Sequence, residues 1–192
     1  HARTLHRLYQ NLSQRFREIV ETIHFTFRRT QKFNERFYRS EDVLGVESHV
    51  NTLANAQQVL EAFVISAEED IPLHPRLRGL LVRSADLFDD EAHRSPDLAA
   101  MFRRILRSRR VANTLHDMNE LNVLGAFIPE WSELVAFFQH NMYHYFTADE
   151  HTLIAIGNVE RLREQQHIMR EVFRNLRRKD VLYVTLLLHD IG

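Results

Sequence analysis

Val181-Leu182-Tyr183-Val184-Thr185-Leu186-Leu187-Leu188-His189-Asp190-Ile191-Gly192 is an apolar run of helical length that ends on an imidazole beside a carboxylate. Asp180, directly before it, is placed to cap that helix. Together, His and Asp make a donor set for a hard-to-borderline metal ion, the kind that activates water. The dipeptide alone decides little, since His116-Asp117 repeats it earlier in the chain. Context separates the two. Only the pair at 189 closes a buried-looking helix, and only it has a further candidate ligand upstream, His151 in Phe146-Thr147-Ala148-Asp149-Glu150-His151-Thr152-Leu153.

Working outward, helical spacing governs most of the chain. Thr147 to Glu150 fits a capping box, in which hydroxyl and carboxylate satisfy free backbone donors at a helix start. It predicts a helix over about 148–165 with His151 in its first turns. Ile168 to Arg177 reads as another. Ser95-Pro96-Asp97 combines an N-cap serine, a proline at the first helical position and an acid at the positive dipole end. Leu98, Met101, Phe102, Ile105 and Leu106 then form one buried face. Val111 to Leu124 continues in helical period, with Gly125 as its stop. Pro129 opens the next helix, through Phe138. Leu53, Ala56, Val59, Leu60 and Phe63 mark a helix after Asn51, and Leu77, Leu80, Leu81 and Leu87 another after Pro72 and Pro75. Leu5, Leu8, Leu12, Phe16, Ile19 and Ile23 predict an amphipathic helix over about 2–29. Only the stretch from Phe33 to Glu47 reads as strand, a short hairpin with Gly45. The expected class is therefore mainly α, with at most one small β-hairpin.

Composition narrows the function without naming it. The 192 residues have a formal net charge of −1, 44% apolar and 27% charged residues, which describes an ordinary globular chain. A charge near zero gives no argument for nucleic acid as a partner. The cluster Arg103-Arg104-Ile105-Leu106-Arg107-Ser108-Arg109-Arg110 is balanced by acids at Glu68-Glu69-Asp70 and Asp86 to Glu91, and each reads as a solvated face. There is no cysteine, so disulfides, thiolate metal sites and cysteine nucleophiles are excluded. A cytoplasmic location is expected. No stretch approaches the ~20 apolar residues of a membrane span, so no membrane association is expected. The start at His1 and the stop just after the His-Asp pair suggest a segment of something larger.

His140, His144, His151, His167 and His189 gather in the last part of the chain, and a boundary is expected near residue 139. Two neutral imidazoles and a carboxylate can hold a divalent ion while leaving positions open for water and a phosphate oxygen. His140 and His144, four apart, could touch metal or phosphate, though structural roles are as good a reading. Asp149, two before His151, could orient a ligand from behind. His167 reads as surface and His116-Asp117 as structural. No Gly-rich phosphate loop, Gly-x-Ser-x-Gly or His-Glu-x-x-His is present.

These residues carry a resemblance. Thr147-Ala-Asp149-Glu-His151-Thr152 followed by Leu-Leu-Leu-His189-Asp190-Ile-Gly resembles the HD superfamily of metal-dependent phosphohydrolases. More narrowly, with Gln139-His140 and His144 before it, the pattern resembles the bacterial PII uridylyltransferase/uridylyl-removing enzyme family. Phe102-Arg-Arg-Ile-Leu106, Leu115-His-Asp-Met118-Asn119 and Leu124-Gly-Ala-Phe-Ile128-Pro129-Glu130 resemble that family's helical region between catalytic domains. Ala2-Arg3-Thr-Leu-His-Arg-Leu resembles the segment that follows its nucleotidyltransferase domain. Phe146 and Ala148 depart from the family's usual tyrosine and valine.

The resemblance implies residues 1–138 as a helical inter-domain region and 139–192 as the first helices of an HD-type all-α domain. It implies His151, His189 and Asp190 as ligands of Mg²⁺ or Mn²⁺, with Asp190 also catalytic, and a fourth ligand, an aspartate, beyond residue 192. The implied activity is hydrolysis of the uridylyl-tyrosine phosphodiester of the PII signal protein in nitrogen regulation, with glutamine sensed through further domains. The alternatives are another HD-type nucleotide phosphohydrolase, or a helical adaptor whose HD site is degenerate.

Overall fold

The computed structural model describes residues 29–136, 147–164 and 168–191. In chain order its elements are β1 (Arg29–Lys32), β2 (Phe37–Ser40), β3 (Val43–Val46), α1 (Ala56–Glu69), α2 (Pro75–Val82), a 3-10 turn at Ala85–Leu87, α3 (Asp90–Arg94) and α4 (Pro96–Arg107). There follow α5 (Val111–Glu120), α6 (Val123–Phe127), α7 (Pro129–Ala136), α8 (Ala148–Arg161), α9 (Ile168–Asn175) and α10 (Lys179–Leu188). The protein is mainly helical with one small antiparallel sheet, the class that its apolar spacing predicts. No described helix is long and apolar enough to cross a membrane. The helix expected over 2–29 lies outside the described residues up to residue 28, and Arg29 already belongs to β1. The boundary expected near 139 falls on 137–146, outside the described residues.

The chain divides into two compact units, residues 1–52 with 71–80, and residues 53–70 with 81–192. The first unit holds the sheet, in the order β1-β2-β3. Ser40 pairs with Val43, so β2 and β3 are joined by the two-residue turn Glu41-Asp42, with Glu41 in the left-handed region at φ 51°. Tyr38 lies opposite Gly45, and a Cβ on that glycine would meet the tyrosine ring at 2.6 Å. The glycine is there because the ring covers it. The sheet has a third strand that the sequence does not announce. β1 carries no apolar alternation; it is an edge strand recruited by backbone pairing, Gln31 with Arg39 and Lys32 with Tyr38. Asn34 shapes the connection, its Oδ1 accepting from the backbone of Arg36 at 2.8 Å and Phe37 at 2.9 Å. On the other edge, Leu44 pairs with Leu73, its N–H donating to the Pro72 carbonyl at 2.8 Å. Arg76 closes the unit by donating to the carbonyls of Val46, Glu47, Ser48 and Val50 at 3.0–3.1 Å.

In the second unit α1 packs on α4, α5 on α8, and α10 on both α4 and α8. Val59, Leu60, Phe63, Ile105, Leu106, Leu115, Trp131, Ile156 and Tyr183 are fully or almost fully buried. Their burial supplies the main drive to fold, at ~25 cal/mol per Å² of apolar surface. Helix ends follow local chemistry: Asn55 caps α1 through Gln58 N–H at 3.0 Å, and Ser95 caps α4 through Leu98 N–H at 3.3 Å.

Three boundaries differ from the sequence reading. α2 ends at Val82, and Leu87 belongs to the separate 3-10 turn. The helix expected over 111–124 breaks at Asn122, which adopts φ 61° and starts α6; asparagine tolerates that region better than other non-glycine residues. Gly125 is thus no stop. It sits within α6, where a Cβ would meet Ser132 Oγ at 2.4 Å. Finally, Asp180 does not cap α10. Arg178 holds the cap position without a side-chain bond, and Asp180 sits in the first turn and turns to arginines.

Candidate metal centre

α8 begins at Thr147, whose backbone N–H donates to Glu150 Oε2 at 3.5 Å, and this start fixes where His151 stands. α10 ends at Leu188 with His189 as its C-cap residue and Asp190 next. Because the two helices pack together, the His151 and His189 rings stand with centroids 6.4 Å apart and planes at 44°. His189 Nδ1 lies 2.7 Å from the Leu186 carbonyl oxygen. Since that oxygen can only accept, Nδ1 carries the proton and donates, and Nε2 is left as the free donor atom toward a cation. Nε2 stands 3.3 Å from Asp190 Oδ2. All three residues are exposed to solvent.

The separation tests whether they suit one ion. An imidazole nitrogen binds at about 2.0–2.1 Å, and its ring centroid lies about 1.1 Å behind it. Two rings on one ion therefore reach a centroid separation of about 6.4 Å when opposed and about 5 Å at a tetrahedral angle. The observed 6.4 Å matches only the opposed arrangement. The ligand atoms of His151, His189 and Asp190 do not all lie within 4.8 Å of one another, so one ion reaches all three only if the helix ends approach. The donor types fit a divalent ion; an approach of about 1 Å would bring the imidazoles to tetrahedral spacing, and one of about 2 Å to the adjacent positions of an octahedral ion such as Mg²⁺. A tighter group lies elsewhere. Among the described residues, His116, Asp117 and Glu120 have ligand atoms all within 4.8 Å of one another. Asp117 there stands 3.9 Å from the Arg110 guanidinium, a charge that opposes cation binding. His140, His144 and His167 lie outside the described residues.

The polar ties that hold α8 and α10 are legible only in three dimensions. Asp149 is buried, and its Oδ2 accepts from Asn119 Nδ2 at 3.2 Å, while Asn119 Oδ1 accepts from the indole N–H of buried Trp131 at 2.8 Å. Glu160 accepts from the free N–H groups of Val111 at 2.9 Å and Ala112 at 3.1 Å, so a carboxylate on α8 sits at the positive end of α5. Asp180, 3% exposed, accepts from Arg107 Nη2 at 3.0 Å and Arg178 Nε at 3.2 Å, with Arg103 Nε at 3.9 Å. Burial pushes its carboxyl up, but the hydrogen bonds and charges of Arg178 and Arg107 outweigh that and hold it below the ordinary value. Tyr183 is fully buried beside this region, and burial pushes its phenol up. Arg103, Arg104, Arg107 and Arg109 of the arginine cluster are exposed, as a solvated face requires, and Arg103 and Arg107 also reach Asp180 from it. An acid at the start of the terminal helix is the signal for that pairing.

Comparison with known proteins adds a second line of observation. Residues 37–127 match the family model of the uridylyltransferase GlnD third domain. The chain is 32% identical over 178 residues to the bifunctional uridylyltransferase/uridylyl-removing enzyme of Acinetobacter baylyi, covering 86% of this chain and 20% of the relative. It is 34% identical over 164 residues to the enzyme of that name from Caulobacter vibrioides, covering 82% and 17%. With the Novosphingobium aromaticivorans enzyme of the same name the figures are 35% over 155 residues, 78% and 17%. The chain thus spans about a fifth of the length of these curated relatives. No solved structure matches it.

Proposed function

Because the chain belongs to the GlnD uridylyltransferase family, we propose that His151, His189 and Asp190 are part of a divalent-metal centre, for Mg²⁺ or Mn²⁺. That centre hydrolyses the uridylyl-tyrosine phosphodiester of the PII signal protein. The observation that carries this reading is the convergence of the ends of α8 and α10: two imidazoles 6.4 Å apart, with a carboxylate oxygen 3.3 Å from one of them. The name of the relatives supports it, since uridylyl removal is a phosphodiester cleavage.

A divalent ion supplies Lewis acidity toward a phosphoryl oxygen and toward water. The chain's own residues do the rest. His189 offers Nε2, its ring fixed by the Nδ1–H bond to the Leu186 carbonyl. His151 offers a second imidazole from the facing helix. Asp190 contributes an anionic oxygen and can take a proton from the attacking water as the phosphorus–oxygen bond to tyrosine breaks. The exposure of all three leaves room for a modified side chain of another protein to enter.

The test is release of UMP from uridylylated PII by a protein that carries this segment at the length of its relatives. His189→Ala or Asp190→Ala should abolish release while helical content stays unchanged. Full activity in the His189→Ala protein would end the reading.

A further inference from the structure

Each helix that carries a candidate ligand is anchored by carboxylates to the segment 37–127, the part that matches the third-domain family. On α8, Asp149 reaches Asn119, and Glu160 reaches Val111 and Ala112. On α10, Asp180 reaches Arg107 and Arg103 of α4. Asp180 lies in the first turn of α10 and His189 at its end, so a rigid ten-residue helix joins the anchor to the site. The packing of α10 on α8 holds the two imidazoles 6.4 Å apart, so where α10 stands sets how far the ligand atoms lie from one another. Of the three carboxylate anchors, Asp180 has the least exposed side chain and two crossing partners.

We propose that Asp180 is a positioning residue for the metal centre. Its ion pairs with Arg107 and Arg103 set where α10 stands along α8, and so set the spacing of His189 and Asp190 from His151. The helical third-domain segment is then a structural component of the site rather than a spacer between domains. This rests on the metal reading above, and the experiment separates the two.

Two arginines that share Asp180 make the discrimination. Arg107 reaches it from α4; Arg178 reaches it from the approach to α10 itself. Arg107→Ala and Arg178→Ala each remove one positive charge and one bond to the same carboxylate, but only the first removes a tie between helices, the shorter of the two that α4 makes. Mn²⁺ is titrated into a protein that carries this segment at the length of its relatives, and the free ion is followed by its electron paramagnetic resonance signal. Arg107→Ala should weaken binding about tenfold, the low end of what partners behind a ligand contribute. Arg178→Ala should change it less than about twofold, because α10 remains held to α4. Asp180→Asn should weaken it at least as much as Arg107→Ala, and His189→Ala should remove it. Equal effects of Arg107→Ala and Arg178→Ala, or wild-type affinity in Arg107→Ala with circular dichroism unchanged, overturn the positioning role while the metal reading stands. Unchanged binding in His189→Ala overturns both.

Discussion

Glu160 holds the N–H of Val111 at 2.9 Å, and its second oxygen holds that of Ala112 at 3.1 Å, so one side chain of α8 serves as the missing cap of α5. Arg110 occupies the cap position itself and offers no side-chain bond. The arrangement combines a hydrogen-bonded cap with a charge at the positive end of the dipole. Glu160→Ala should therefore destabilise the protein by ~1–2 kcal/mol, measured as a shift in the urea midpoint. Glu160→Gln should cost less, since its amide oxygen retains one acceptor. Equal stability of wild type and Glu160→Ala would show that the bonds are not maintained in solution.

Asp180 gives a pH dependence of fixed sign. Its folded carboxyl lies below the ordinary value, so the folded state favours the ionised form. The resulting stability is present in full above the unfolded value, near 3.9. It is lost as pH falls from there through the folded value. Trp131, the only tryptophan and fully buried, reports unfolding of the same unit by fluorescence. Denaturation midpoints of the wild type should fall below about pH 4, and those of Asp180→Asn should fall less over that range. Parallel curves for the two proteins would refute the assignment.

Gly45 lies under the Tyr38 ring, and an added Cβ would stand 2.6 Å from it. The ring belongs to a buried side chain on the opposing strand and must move to make room. Gly45→Ala should cost ~1–3 kcal/mol, the usual range for overpacking. Tyr38→Ala combined with Gly45→Ala should cost less than the sum of the two single changes, which a double-mutant cycle reads directly.

Chelation distinguishes the two candidate cation groups. In the full-length protein, EDTA should stop UMP release, and Mn²⁺ should restore it. His116→Ala and Glu120→Ala should leave both the activity and its metal dependence as they are. A loss of activity in either variant would move the centre to the exposed group on α5.

Legibility from sequence follows the range of each interaction. Ser95, Pro96 and Asp97 announce α4 because a cap is settled within four residues, and the serine oxygen does accept from Leu98. The apolar stripe of α4 is equally local, and Leu98, Phe102, Ile105 and Leu106 are buried as it predicts. β1 escapes notice because its sequence, Arg-Thr-Gln-Lys, carries no apolar alternation. Asn122 was hidden by an apolar period that runs across it, and Gly125 misled because a glycine needed for close packing looks the same as one that ends a helix. For the candidate site, the residue types and their spacing were readable, and their family pattern with them. The 6.4 Å between rings was not, nor were the carboxylate partners 30 to 73 residues away, since neither leaves a periodic trace.

The guanidinium of Arg76 treats the strand exit at residues 46–50 much as an ionophore treats its cation, in reverse: four inward-turned carbonyl oxygens wrapped about one planar charge. Those oxygens come from a stretch 26 to 30 residues away along the chain, and no side chain within that stretch can replace such a fork. The curl after β3 and the first turn of α2 therefore hold each other's shape through one side chain. A lysine at position 76 would keep the charge and lose the fan of donors, so the curl would open before the hairpin does.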